Sequence, residues 1–259
     1  VLENNKIMRA KKSLGQNFLQ DAGVIEQIIQ IVRPNTAQKI IEIGPGRGAL
    51  TDHLAEAHVA LTLIEFDRDL IAPLQQRYAD KSHVTVLHQD ALQLRLSQGP
   101  YLVVGNLPYN ISSPLLIHLL KQSSQIERAV FMLQKELVQR ICAPPGIKAF
   151  GRLSVMLQHR FECYAALTVP PEAFNPVPKV DSQIIELIPK KNPTEVDFTS
   201  LEFIVKQAFA QRRKTIRNNL KKWFSDETLT SLDINPQQRP ETLTVAQFEQ
   251  LAQHHHAHH

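Results

Sequence analysis

Five short apolar runs rich in β-branched residues, with stretches of helical character between them, occupy the first half of this 259-residue chain. Lys39–Gly44, Val59–Glu65, Val84–Gln89, Tyr101–Gly105 and Ala129–Leu133 read as strands. Helices are predicted over Leu50–Glu56, Asp69–Tyr78, Pro114–Lys121 and from about Lys135, with Ser113 as an N-cap and Pro114 in the first helical position. Near-continuous apolar strands separated by helices bury both faces in a parallel sheet with helices on each side, which makes the chain α/β. Phe161–Thr168 and Gln183–Ile188 read as two further strands joined by the proline-rich Pro170–Pro178, a hairpin-like addition that brings the sheet to seven strands, most of them parallel.

The pattern changes after Ile188. Pro189-Lys190-Lys191-Asn192-Pro193 reads as a linker. Beyond it Leu201, Val205, Ala208, Phe209, Ile216, Leu220 and Trp223 recur at helical spacings, and Thr244-Val245-Ala246-Gln247 fits a capping box. Two units are therefore expected, 1–189 and a small all-α unit over 190–259, in a chain long enough for both. Five of the last six residues are His, read as a tag or a frayed polar tail because no acidic or cysteine partners accompany them; no metal site is expected. Cys142 and Cys163 lack metal or disulfide spacing and read as free buried thiols of a reducing compartment. No apolar run approaches the roughly 18 residues of a membrane span, and the polar, basic Val1–Lys12 has no apolar core of a secretory signal. A cytoplasmic protein is expected, and the lack of a conspicuous apolar surface stripe predicts a monomer.

Chemistry-bearing residues gather at predicted strand ends, where open α/β sheets bind ligands. Glu42-Ile43-Gly44-Pro45-Gly46-Arg47-Gly48 follows the first strand. Alone, such a loop is a tight βα turn or a pyrophosphate cradle at a helix start. Glu65 ends the second strand, 21 residues after Gly44, at the spacing of a ribose-binding acid. Asp90, in Gln89-Asp90-Ala91, ends the third, placed to accept from an adenine amino group. The fourth strand ends in Asn106-Leu107-Pro108-Tyr109. An Asn-x-Pro-Tyr tetrad is suited to holding a planar exocyclic amine. The Asn side chain and the next carbonyl both accept from it, and the ring covers the base. Loop, two acids and tetrad stand in the order that an S-adenosylmethionine-dependent methyltransferase needs.

Lys12-Ser13-Leu14-Gly15-Gln16-Asn17-Phe18-Leu19, the loop at 42–48, the tetrad at 106–109, and Phe174-Asn175-Pro176-Val177-Pro178-Lys179-Val180-Asp181-Ser182 together resemble the ribosomal-RNA adenine dimethyltransferase family, in its bacterial small-subunit (16S) branch. The resemblance runs from about Lys11 through the helical tail. It implies a Rossmann-like class I methyltransferase fold and S-adenosyl-L-methionine as methyl donor. In the donor site it implies Gln16, Asn17 and Leu19 folding over the donor, Gly44 and Gly46 approaching it, Glu65 on the ribose, Asp90 and Ala91 at the adenine, and Asn106 touching donor and target. It further implies Tyr109 and Phe174 on opposite faces of an extruded adenine, dimethylation of two adjacent adenosines in a hairpin near the 3′ end of small-subunit rRNA, and a part in subunit maturation.

Between Glu202 and Asp226 there is no acidic residue, while Lys206, Arg212, Arg213, Lys214, Arg217, Lys221 and Lys222 lie there. Since the net charge is only +4, this concentration reads as a phosphate-binding face. Arg9, Lys11 and Lys12 form a smaller basic cluster. A large-subunit rRNA methylase of the resistance type, a DNA adenine methyltransferase and a non-catalytic assembly factor remain open alternatives. The first more often carries Asn-Ile-Pro-Tyr, the second a sizeable target-recognition domain absent here, and intact Gly44, Glu65, Asp90 and Asn106 argue against the third.

Overall fold

The computed structural model describes Lys11 and residues 15–258. Arg9 and Lys12 of the smaller basic cluster, Lys12–Leu14 of the N-terminal motif and His259 lie outside the described residues. In chain order the elements are β1 (Phe18–Leu19), α1 (Ala22–Val32), β2 (Lys39–Ile43), α2 (Thr51–Ala55), β3 (Ala60–Glu65), α3 (Arg68–Arg77), β4 (Val84–His88), β5 (Tyr101–Asn106), α4 (Ser112–Leu120), β6 (Ile126–Gln134), α5 (Lys135–Ile141), α6 (Arg152–Arg160), β7 (Phe161–Val169), β8 (Phe174–Asn175), β9 (Ser182–Pro189), α7 (Phe198–Ala208), α8 (Ile216–Leu220), α9 (Asp226–Ser231) and α10 (Val245–His258).

The predicted seven strands form one sheet of order β4-β3-β2-β5-β6-β9-β7, and a separate two-stranded ladder joins β1 to β8. Only β9 runs against its neighbours, antiparallel to both β6 and β7. Strand order reverses at β2, whose neighbours are β3 and β5. Side chains alternate between the two faces with the period of two that a strand imposes. Ile40, Leu61, Leu63, Leu102 and Val104 face a core shared with α1, α2 and α3. Ile41, Ile43, Val103, Ala129 and Phe131 face the core beneath α4, α5 and α6.

That second core does not stop at the predicted linker. It continues without interruption through Leu201, Ile204 and Val205 of α7, Ile216 and Leu220 of α8, and Phe248 and Leu251 of α10. A buried hydrogen bond joins the two parts, between His159 Nδ1 on α6 and Glu249 Oε1 on α10 at 2.7 Å, with side chains only 1% and 8% exposed.

Four local expectations need correcting. Helix α4 starts at Ser112, with Ile111 and not Ser113 in the cap position and Pro114 third in the helix, because Ser112 Oγ donates to the Pro108 carbonyl (2.9 Å) and closes the turn two residues early. The His-rich end is not frayed: α10 runs through His258, and ring contacts Phe224–His254 and Phe203–His255 seat its last turns. Phe174 is 3% exposed and belongs to the α1-side core, although prolines follow it. Its backbone pairs with Leu19, and only the segment after it, including Val177 at 62%, reaches solvent. Both cysteines are free as expected, but half-buried. The capping box at Thr244 forms as read, with Thr244 N–H donating to Gln247 Oε1 and Gln247 N–H to Thr244 Oγ1.

Removing one partner of a buried hydrogen bond leaves the other desolvated and unsatisfied. Glu249→Ala should therefore lower unfolding stability by about 2 kcal/mol. Because the core is continuous, urea denaturation of this variant should show a single transition moved to lower urea, not a separate release of the C-terminal helices.

Candidate active site

The C-terminal ends of β2, β3, β4 and β5 converge on a cavity of about 240 Å³. Its lining brings together nearly every residue that the strand-end reading selected: Gly44, Gly46, Glu65, Asp90, Ala91 and Asn106 to Tyr109. The N-terminal strap, Gly15 to Leu19, closes one side.

The glycine loop follows β2 and turns with Gly46 at φ +57°. A Cβ there would meet the Phe18 ring at 3.2 Å, so the strap packs directly onto the loop backbone. The Arg47 guanidinium lies over the other part of this contact, 4.3 Å from the Phe18 ring centre. Glu65 closes β3 and is buried. Its Oε1 accepts from the Asp67 N–H (2.8 Å) and its Oε2 from the Gly46 N–H (3.2 Å), which ties the acid to the loop. Burial raises the Glu65 carboxyl above its ordinary range, against the pull of these backbone donors. Asp90 caps a short 3-10 turn, its Oδ1 accepting from the Leu92 N–H at 2.9 Å.

Asn106 is the last residue of β5. Its Nδ2 donates to the Asn17 carbonyl (3.1 Å), which commits the amide nitrogen to the strap and leaves Oδ1 as the acceptor that the side chain can offer. The Leu107 N–H donates to the Met132 carbonyl (3.2 Å), and the Ile111 N–H to the Pro108 carbonyl (3.2 Å), so the tetrad is held by backbone on both sides. The Tyr109 hydroxyl lies 3.1 Å from Ser182 Oγ, a buried group at the start of β9. Phe174 is absent from the cavity wall and sits behind Leu19 in the core, so it is not the exposed partner of Tyr109.

Several site residues escape a reading of the sequence. Glu42 lines the cavity from within β2, fully enclosed, and accepts from Thr51 Oγ1 at 2.7 Å. Burial pushes its carboxyl up to about 8; the Thr51 hydrogen bond opposes the shift, and the nearby Glu65 and Asp52 charges add to it. An acid inside the apolar run Ile40–Ile43 is the available signal. Asp67 accepts from Lys11 Nζ (2.5 Å) and Gln16 Nε2 (2.9 Å). Burial pushes its carboxyl up, but these donors and the Asp69 N–H hold it below the ordinary range.

The basic stretch is exposed but not uniform. Arg212 Nη2 donates to the Lys148 and Phe150 carbonyls, both at 2.8 Å, and Arg217 pairs with Asp226 at 2.5 Å. The charges are therefore not all unopposed: the turn after α7 carries the first around to the α5–α6 loop, and Asp226, just beyond the stretch in sequence, folds back onto α8. Among the described residues no cluster of three or more His, Cys, Asp or Glu is arranged to hold a metal, and no helix is long and apolar enough to cross a membrane.

The profile of the ribosomal RNA adenine dimethylase family matches residues 7–256. A protein of Coxiella burnetii (strain RSA 493) named ribosomal RNA small subunit methyltransferase A is 47% identical over 253 residues, covering 95% of this chain and 98% of the relative. The crystal structure of a dimethyladenosine transferase from Plasmodium falciparum superposes with a TM-score of 0.80 at 26% identity, over 90% of this chain and 95% of that one. The 23S rRNA methyltransferase ErmE superposes with a TM-score of 0.73 at 25% identity, over 92% and 99%.

The raised Glu42 carboxyl fixes the sign of a pH effect. Between about pH 4.5 and 8 the folded state holds a proton that the unfolded state has released. Stability therefore falls as pH rises through that window, by at most about 1.4 kcal/mol per unit. Glu42→Gln should flatten this decline in thermal melts recorded from pH 5 to 8, while a slope equal to that of the unmodified protein would place the proton elsewhere.

Proposed function

The chain belongs to the ribosomal RNA adenine dimethylase family, and we propose that it uses the cavity at the β2–β5 strand ends to methylate N6 of adenosine in RNA of the small ribosomal subunit. It is an S-adenosylmethionine-dependent methyltransferase. The finer reading is dimethylation of two adjacent adenosines in the 3′-terminal hairpin loop of 16S rRNA, coupled to subunit maturation. Its cytoplasmic location follows from that substrate, and the enzyme is taken to act as a monomer.

The observation that carries the residue assignment is the hydrogen bond from Asn106 Nδ2 to the Asn17 carbonyl. It fixes the orientation of one amide at the junction of the strap, the glycine loop and the tetrad. An adenine amine is a weak nucleophile because its lone pair is delocalised into the ring. Acceptance of its protons by Asn106 Oδ1 and the Leu107 carbonyl favours a pyramidal nitrogen and disperses the positive charge that develops as the methyl group transfers. Pro108 fixes the backbone that follows them, and Tyr109, tethered to Ser182, offers its ring to a base taken out of its stack. Because the donor sulfonium is already activated, holding nitrogen and methyl in line supplies much of the rate. Glu65 is assigned to the donor ribose, Asp90 and Ala91 to its adenine, and Gly44, Gly46, Gln16, Asn17 and Leu19 to its enclosure. Phe174 supports this wall through Leu19 without touching the base.

Residues 190–259 are assigned to RNA through Arg213, Lys214, Lys221 and Lys222. Arg212 and Arg217 contribute charge to the same face while holding the loop at 148–150 and Asp226. Phosphate contacts of this kind position a substrate without reading its sequence. The 47% identity to a small-subunit enzyme, against 25% to a 23S enzyme, favours the small subunit as substrate.

The test is transfer from labelled S-adenosylmethionine to small subunits lacking the modification, with mass spectrometry of the digested RNA. N6,N6-dimethyladenosine in the 3′-terminal hairpin is expected; label only in large-subunit RNA would reverse the substrate assignment. Asn106→Ala should abolish transfer and leave donor binding partly intact by calorimetry. Arg213→Ala with Lys214→Ala should lower the salt dependence of RNA binding by about one unit of log–log slope per charge removed.

A further inference from the structure

The strap is pinned at consecutive residues to opposite walls of the cavity. Gln16 Nε2 donates to Asp67 Oδ2 at 2.9 Å, and Gln16 Oε1 accepts from the Lys11 N–H at 2.8 Å. One residue on, the Asn17 carbonyl accepts from Asn106 Nδ2 at 3.1 Å. Asp67 also stands next to the donor wall, because its own N–H donates to Glu65 Oε1 at 2.8 Å. It is nearly fully buried yet takes no part in lining the cavity, so it touches neither reactant.

We propose that Asp67 is a positioning residue for methyl transfer: by accepting from Gln16 it fixes the register of the strap in which the Asn17 carbonyl orients the Asn106 amide. The inference rests on the cavity being a methyl-transfer site. Losing the Gln16 contact leaves Lys11 Nζ, 2.5 Å from Asp67 Oδ1, as the remaining side-chain tie to Asp67, and the Asn17 carbonyl is then no longer held in the register that dictates which end of the Asn106 amide faces the amine. Small errors of placement at a reacting centre cost large factors in rate.

Asp67 has two further contacts, both through Oδ1: it caps α3, accepting from the Asp69 N–H at 3.1 Å, and it pairs with Lys11 Nζ at 2.5 Å. Asn serves as an N-cap as well as Asp does. Asp67→Asn therefore preserves the cap and an acceptor for Lys11 Nζ through Oδ1, without the charge, while turning an N–H donor toward Gln16 Nε2, two donors facing each other. Gln16→Glu alone sets two carboxylates against each other. In the double variant the amide nitrogen at 67 donates to the carboxylate at 16, whose other oxygen still accepts from the Lys11 N–H.

The experiment measures kcat at saturating donor and subunits for the full-length protein and its three variants, per donor-binding site counted by calorimetry. Each single variant should lose about tenfold in kcat, with KM for the subunit unchanged and thermal midpoints close to that of the unmodified protein. The double variant should recover to within about threefold. Single variants with undiminished kcat, or a double variant no better than the worse single one, would overturn the positioning role while leaving the functional reading intact. No transfer by the unmodified protein to any ribosomal RNA would overturn that reading and this role with it.

Discussion

The approach of β5 to β2 leaves no room for a side chain at Gly105. A Cβ at that position would fall 2.5 Å from the Ile43 carbonyl oxygen and 3.0 Å from Leu107 Cδ2. A glycine inside a strand commonly marks such a close approach of backbones. Here it sits in register with Ile43, one residue before Asn106 and opposite the residue before Gly44. The glycine loop and the tetrad are thus set side by side by main chain. The buried Glu42 and Glu65 carboxyls, the Phe18 ring and the strap are then arranged around a junction whose spacing no side-chain rotation can change.

Placement of reacting groups by backbone leaves the outer parts of the molecule free to serve attachment. Helices α7, α8 and α10 bury Leu201, Ile204, Phe248 and Leu251 in the same core as α4 to α6, so the surface they present cannot pivot freely against the cavity. The buried His159–Glu249 pair adds a directional contact to that apolar joint. A substrate held by the basic face would therefore meet the cavity at a fixed distance and angle, which is what a shape-read RNA requires.

What is legible in the sequence is local or periodic. Strands announce themselves by apolar runs, and their ends by Gly44, Glu65, Asp90 and Asn106, because ligand chemistry in such sheets collects at the carboxyl edge. The departures from that reading share a cause. The prolines after Phe174 point to an exposed loop, yet its burial comes from pairing with Leu19, far away in sequence. Asp67 and Gln16 meet across 51 residues, and Arg212 finds its carbonyls 62 and 64 residues back, so neither contact leaves a local trace. Composition makes the histidines at the end a polar tail, whereas aromatic neighbours in the folded chain decide their order. Ser113 misses the cap by two residues because the Ser112 hydroxyl finds the Pro108 carbonyl, a bond that depends on the geometry of the tetrad.

The short β1–β8 ladder has a mechanical consequence. Phe18 pairs with Asn175 and Leu19 with Phe174, while Ser182 at the far end of the following loop is paired on both sides, to Gln134 and Val169. The strap cannot lift without pulling one anchor of the loop at 176–181, whose other anchor is fixed in the sheet. Displacement of the strap with this ladder intact would therefore reach the chain beside Tyr109, and amide protons of the two segments should exchange with solvent as one cooperative unit. The strap and the chain beside Tyr109, separate in sequence, are thus joined by two residue pairs.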